Sequence, residues 1–397
     1  MGAVPRLRDY RGPALFSYGF RPFFLLAAVH AGIAIPLWLL AFWGLIPFVT
    51  AFGPRDWHVH EMLYGYVPAV MTGFLLTAIP NWTGRLPLQG TPLLVLVAAW
   101  LAGRAVIGLS AWTGWVVAAA VDASFLFLLL AMVIREVTAG RNWRNLKIAV
   151  LLSLLAAGNL GFHLEARFEG AADVSIRLGL AVVVLLIMVV GGRIVPNFTR
   201  GWLARARPGR LPQPFGRFDV ASIGVSVVAL VLWIAFPSAP VTGAALVAGG
   251  LAQAVRLARW AGGRTIGERL VLVLHLGYAF VPLGFLLLGA SVFGVVTPSA
   301  GLHAWASGAV GVMTLAVMTR ASLGHTGQAL IASGTTQAIY AAAVVAALAR
   351  ICAALEPERM AVLLTIAGIA WVVAFAGFAL VYGPFLCRPA RTADRGC

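Results

Sequence analysis

Long runs of apolar residues, separated by short polar breaks, fill almost the whole chain. A helix that spans a bilayer needs about 20 consecutive apolar residues, and twelve such runs can be read along the sequence. They begin near Phe23, His60, Leu93, Trp115, Leu146, Ile176, Val220, Val241, Leu270, His303, Thr336 and Met360. The breaks carry turn-forming residues, for example Gly53-Pro54 and Pro80-Asn81. The pattern predicts an all-α, polytopic integral membrane protein: a single domain over residues 1–397 with about 12 transmembrane helices in a lipid bilayer.

The composition supports this prediction and excludes a soluble protein. Of the 397 residues, 61% are hydrophobic and 11% are charged, whereas soluble domains are about 25% charged. The net charge of +16 would indicate nucleic-acid binding in a soluble protein. Here the positions of the basic residues give a simpler explanation.

Most of the 29 Lys and Arg residues fall on one side of the predicted membrane. They lie before the first run, in every second break after it and after the last run, from Arg6 to Arg395. Five lie in the remaining breaks: Arg55, Arg167, Arg177, Arg350 and Arg359. Because cytoplasmic loops carry the excess of Lys and Arg, we predict that both termini are cytoplasmic. The basic balance therefore reports topology, and no nucleic-acid partner is expected.

Several short strings recur along the chain and suggest an internal repeat. Pro80-Asn81-Trp82-Thr83 recurs as Pro196-Asn197-Phe198-Thr199, and Val70-Met71-Thr72 recurs as Val312-Met313-Thr314. These similarities favour three four-helix repeats over residues 16–140, 141–263 and 264–385. Chance similarity between apolar helices is the alternative.

Seven histidines are the main candidates for chemistry. Four of them (His58, His60, His163 and His303) fall at the outer ends of predicted helices, whereas His30, His275 and His325 lie nearer the inner side. Imidazole is a common ligand of transition metals and of haem iron, and ionisable groups at membrane depth usually mark a functional site. We therefore predict an outer metal site, with His275 and His325 as a second, inner site. Hydrogen bonding of each imidazole at a helix end is the structural alternative.

The spacing of His58 and His60 leaves two arrangements open. In a regular helix residues i and i+2 point to opposite sides, whereas in an extended segment they share a face. Either both bind one metal or each serves a different site. Three roles are open for the neighbouring Glu61: to relay protons, to fix a histidine tautomer, or to stabilise the first turn of a helix. Asn159, one turn before His163, is a candidate to orient that imidazole.

Two arginines are candidates for pairing with haem propionates: Arg193 and Arg320, near the inner ends of the sixth and tenth runs. Snorkelling of both side chains to the interface is the alternative. The three cysteines, Cys352, Cys387 and Cys397, form no C-x-x-C pair. Covalent haem attachment and a disulfide framework are therefore not expected.

With these strings in view, the chain resembles the NnrS family of membrane proteins. The resemblance runs from about Phe16 to Gly327 and is carried by residues 19–24 (GFRPFF), 57–62 (WHVHEM), 80–85 (PNWTGR), 142–146 (NWRNL), 191–193 (GGR), 275–278 (HLGY) and 318–327 (MTRASLGHTG). The resemblance implies a twelve-helix protein of the bacterial inner membrane that contains haem b and copper. It also implies a role in tolerance of nitric oxide and nitrosative stress, often alongside denitrification.

Carried over by position, the resemblance implicates His58, His60, His163, His275, His303 and His325, whereas His30 is less typical of the family string. Nitric oxide is then the expected ligand, and turnover would also need a membrane electron donor. Two alternatives remain at this point. One is a secondary transporter, for which Asp122 is the only clear acidic candidate within a predicted helix. The other is an accessory protein that handles haem or metal without catalysis.

Overall fold

The structure is a computed structural model that describes residues 10–47, 49–206 and 208–390. None of these residues forms a β-strand, and they contain twelve helices that are long and apolar enough to cross a membrane. These are α1 (Phe20–Phe42), α2 (Pro54–Thr83), α3 (Thr91–Gly108), α4 (Trp115–Ala139), α5 (Trp143–Phe168), α6 (Asp173–Arg205), α7 (Arg217–Ala235), α8 (Pro240–Ala258), α9 (Arg269–Val292), α10 (Pro298–His325), α11 (Gly334–Leu355) and α12 (Pro357–Cys387). The predicted fold class is confirmed.

The helices begin slightly earlier than the apolar runs because their first turns are polar or contain proline. Pro54, Pro240 and Pro298 open α2, α8 and α10, where a missing N–H and a fixed φ suit the first helical turn. At the other end of α2, Gly84 adopts a φ of 69°. This left-handed conformation favours glycine and ends the helix.

Large apolar side chains cover the outer faces of the helices, as expected for helices in lipid. Ile33, Val228, Ile369 and Leu380 are examples, and each is more than half exposed. The chain is therefore a multi-pass membrane protein. The cytoplasmic location of the termini stays a prediction, and five arginines that support it (Arg6, Arg8, Arg207, Arg391 and Arg395) lie outside the described residues.

Three of the helices contain a π-helical segment. These segments are Glu61–Tyr66 in α2, Ile187–Gly191 in α6 and Ala304–Val312 in α10. π-helical turns are rare and frequently lie at functional sites. Each segment lies in the second helix of one of the three predicted four-helix repeats. The repeat itself stays a prediction.

The described residues divide into two compact units. The first comprises residues up to 179, 318–329 and those from 375 onward; the second comprises residues 180–317 and 330–374. That the chain is a single domain also stays a prediction. In the first unit α2 packs on α1 and α4, and α4 packs on α3 and α5. In the second, α8 packs between α7 and α9, and the π segment of α10 packs on α9 and α11.

Candidate functional site

A buried cluster of two histidines and a carboxylate lies in the first unit. The Nε2 atoms of His60 and His163 each lie 3.2 Å from Asp122 Oδ2. The three side chains come from α2, α4 and α5, and each is at most 2% exposed. Their donor atoms all lie within 4.8 Å of one another, close enough to hold one metal ion.

The surroundings of His60 contain acceptors on both sides of the ring. Nε2 lies 3.1 Å from Asn159 Oδ1 as well as 3.2 Å from Asp122 Oδ2, and Nδ1 lies 3.4 Å from Glu61 Oε1. The orientation of the Asn159 amide follows from its other contact, since its Nδ2 donates to Asp122 Oδ2 at 2.9 Å. A neutral imidazole carries a single N–H and cannot donate to acceptors at both nitrogens. If Nδ1 carries the proton, the unprotonated Nε2 faces two oxygens. A cation at Nε2, either a second proton or a metal ion, removes this repulsion.

A second set of charged groups surrounds the cluster. The Arg104 guanidinium donates to Glu61 Oε1 at 2.5 Å and, through its other terminal nitrogen, to Asp122 Oδ1. Glu61 Oε2 in turn lies 3.1 Å from His30 Nε2. With neutral imidazoles, one guanidinium faces two carboxylates. The group therefore has one surplus negative charge in an interior where unbalanced charge is costly, and a bound cation would balance it.

Aromatic rings enclose the two imidazoles. The ring centroids of Phe52, Phe162 and Tyr64 lie 5.3, 5.1 and 5.7 Å from that of His60. Phe52 also lies 5.4 Å from His163. The Tyr64 hydroxyl donates to Ser175 O at 2.7 Å and so is held away from the cluster. The ring of His60 is therefore packed against three aromatic side chains.

Glycines allow the charged groups to approach the helix backbones. Gly65 lies in the π segment of α2, where a Cβ atom would overlap the Arg104 guanidinium and come within 3.2 Å of His30 Nε2. Trp100 Nε1 donates to Gly65 O at 2.9 Å. In α3, a Cβ on Gly103 would come within 3.3 Å of the Asp122 backbone. Because Gly65 has no side chain, the Arg104 guanidinium can approach the backbone of the π segment.

The structure separates His58 from His60. Both lie in the regular helical turn Pro54–His60 and point to different sides, and the His58 ring stacks on Trp38 at 4.3 Å. Of the two arrangements left open by the sequence, the one with a shared metal is wrong.

Two further expectations about this region are corrected. Asn159 was expected to orient His163, but its amide contacts His60 and Asp122 instead. His30 was grouped with the inner histidines, but it contacts Glu61 beside His60. Sequence position along α1 could not reveal this contact, because Glu61 comes from another helix. The charged residue Arg104 within a predicted span was the available signal for the network.

The remaining predicted residues stay predictions. In the second unit, His303 Nδ1 lies 2.8 Å from Ser299 O, His275 Nε2 lies 2.8 Å from Thr199 Oγ1, and Arg193 is exposed. In the first unit, Arg320 is half-buried and His325 stacks on Tyr18 at 5.7 Å. Burial raises the pKa of the Tyr18 phenol above its usual value.

A second buried ion pair lies in the second unit and was missed from the sequence. Arg256 Nε donates to Asp219 Oδ1 at 3.0 Å, and Arg256 Nη1 donates to the Tyr278 hydroxyl at 2.9 Å and to Met188 O in the π segment of α6. Arg256 is fully buried. From the sequence, Arg256 is expected in a cytoplasmic loop, whereas in the structure it lies within α8. Besides Asp122, the buried acidic residues of the described helices therefore include Glu61 and Asp219.

Comparison with models of known protein families gives a match. Residues 14–390, nearly the entire chain, match the family model described as NnrS protein. No match was found among curated proteins.

Proposed function

The chain belongs to the NnrS family, and from this premise we propose that it is a metal-binding protein of the nitric oxide response in the bacterial inner membrane. The proposed site is the His60–Asp122–His163 cluster. Turnover of the bound nitric oxide would also need an electron donor.

The observation that carries the proposal is the surplus of oxygen acceptors around His60. If Nδ1 carries the proton and donates to Glu61, the Nε2 lone pair points at the oxygens of Asp122 and Asn159. The two oxygens repel this lone pair. A metal ion bound between them and His60 Nε2 would make all three atoms its ligands or near neighbours. The carboxylate–histidine pair of Glu61 and His60 is the usual outer support of a metal-bound imidazole.

The donor set narrows the choice of metal. Two imidazoles and one carboxylate suit Cu(II) and non-haem Fe(II), and the set contains no thiolate. We propose copper, which the family resemblance implies. Bound there, the metal would supply a redox-active centre that coordinates nitric oxide. Haem b, if present, would bind at other histidines, because Phe52 and Phe162 pack directly on His60.

Burial of the cluster favours a small neutral ligand. Nitric oxide is uncharged and enters apolar surroundings, whereas nitrite and nitrate would lose their hydration with little compensation. In this site the chain's own residues orient the ligands. Asn159 Nδ2 donates to Asp122 Oδ2 and so orients this carboxylate, and Arg104 fixes the carboxylates of Asp122 and Glu61 relative to each other.

The proposal is tested by nitric oxide binding to the full chain loaded with copper in detergent. We expect the electron paramagnetic resonance spectrum of the copper to change when nitric oxide is added without oxygen, and to lose its copper signal in Asp122→Asn. Asp173→Asn is the matched control, because Asp173 is half-exposed and pairs with Arg55 at the surface. A spectrum that does not respond to nitric oxide in the wild type contradicts the proposed ligand.

A secondary transporter is the second candidate, and the Asp219–Arg256 pair favours it. This pair lies buried within α7 and α8 and has no place in the metal site. Buried ionisable residues in membrane helices often mark a transport path. A metal-free preparation from cells supplied with copper and iron would favour the transporter, and a bound metal would favour the first proposal.

A further inference from the structure

An aromatic ring covers the cluster from the segment of residues 49–53, which directly precedes α2. In this segment Val49 and Ala51 are exposed, whereas Phe52 is buried, with 8% of its surface exposed. Its ring stacks on His60 at 5.3 Å and lies 5.4 Å from His163. Within this segment, the side chain of Phe52 is therefore turned inward onto both candidate ligands.

Few interactions hold this segment in place. Ala51 N donates to Ser110 Oγ at 2.8 Å, and Thr50 Oγ1 donates to Phe52 O at 2.8 Å. A Cβ placed on Gly53 would have no neighbour within 4 Å. Segments with few buried contacts open locally at low free energy. The ring of Phe52 is consequently the main buried contact of residues 49–53.

We propose that Phe52 determines which molecules reach His60 and His163. The inference rests on the proposed function, because it concerns access to that site. With the ring in place, water, hydrated ions and charged molecules are kept from the imidazoles. A small neutral ligand such as a diatomic gas can pass between the apolar side chains without displacing it. Loading or loss of the metal needs the segment to open.

The proposal predicts that variants at Phe52 change the rate at which a chelator removes the metal. A hydrophilic chelator removes the metal only while the segment is open, so the removal rate follows the open population when opening is rapid. Phe52→Ala deletes the ring contacts with both imidazoles and with Phe162, which lies 5.5 Å away. We expect removal of copper by a sulfonated chelator to become about tenfold faster, which corresponds to about 1.4 kcal/mol in opening free energy. Phe52→Leu, which keeps an apolar side chain, should give an intermediate rate.

The matched control is Phe125→Ala, which deletes another buried ring of the same unit. Phe125 is 2% exposed and packs on Phe23. Its removal tests whether general loosening of the unit accelerates metal loss. Equal acceleration in Phe125→Ala and Phe52→Ala would overturn the proposal.

A second measurement needs no metal and so separates this inference from the proposed function. Deuterium exchange at the C2 carbon of each imidazole, measured by mass spectrometry on the metal-free chain, reports contact of the ring with water. We expect slow exchange at His60 and His163 in the wild type and in Phe125→Ala, and exchange about tenfold faster in Phe52→Ala. His325, which is exposed, serves as the internal reference. Fast exchange at His60 in the wild type, or unchanged exchange in a folded Phe52→Ala protein, overturns the proposal.

Discussion

At the scale of single residues, the cluster is organised by contacts that hold its proposed ligands rather than by the ligands alone. Glu61 contacts His60 and His30 through different oxygens, while Arg104 links Glu61 to Asp122. Each carboxylate therefore has a fixed orientation before any metal binds. Since ordering such groups otherwise costs free energy on binding, this arrangement favours tight binding of a cation.

Glu61→Gln tests the supporting carboxylate. The amide removes the charge opposite His60 Nδ1 and weakens the imidazole as a ligand, so the affinity for copper should fall about 10- to 100-fold. Competition with a chelator of known affinity measures this change. Glu136→Gln is the control, because Glu136 also pairs with an arginine, Arg85 at 2.5 Å, but at the surface. An equal loss of affinity in the two variants would contradict the role of Glu61.

At the scale of helices, the π segment of α2 shapes the site. It begins at Glu61, directly after His60, and contains Gly65, which lies against Arg104. The extra residue in the turn changes the direction of the side chains that follow. An α-helix through the same residues would not present Glu61 and Gly65 in this way.

Gly65→Ala should therefore destabilise the protein and weaken metal binding together. The added methyl group has no space between the Arg104 guanidinium and His30 Nε2, and overpacking of this kind costs about 1–3 kcal/mol. Thermal unfolding in detergent and metal content are the measurements. At Gly224 in α7, a Cβ atom would meet nothing within 4 Å, so Gly224→Ala should leave both quantities unchanged or raise stability slightly.

The helices were predictable from the sequence, but the partners of their polar residues were not. Twelve apolar runs were enough to find α1 to α12, because span length depends on local hydrophobicity. The contact between His30 and Glu61 depends on how α1 packs on α2, and the approach of Arg104 depends on a π segment. Neither leaves a periodic signal in the sequence. His60 and His163 were identified as candidates, whereas Asp122 was considered only for transport.

At the scale of the whole molecule, the distribution of basic residues makes a prediction about orientation. An even number of spans and an excess of arginine on one side place both termini in the cytoplasm. The segment that contains Phe52 would then face the periplasm, and the cluster would lie in the outer half of the membrane.

Reporter fusions test this topology. A fluorescent protein fused to either terminus should fluoresce in the cytoplasm, whereas alkaline phosphatase inserted between α9 and α10 should be active in the periplasm. An active phosphatase at the C-terminus would contradict the predicted orientation and would place the cluster on the cytoplasmic side.

The metal content of the purified full-length chain tests the central claim most directly. Copper, iron and haem are quantified in the wild type, in His163→Gln and in the control His58→Gln, whose ring stacks on Trp38 outside the cluster. The His60–Asp122–His163 site predicts about one equivalent of non-haem copper per chain, lost in His163→Gln and retained in His58→Gln. A wild type without non-haem metal, or a His163→Gln protein with its copper unchanged, would contradict it.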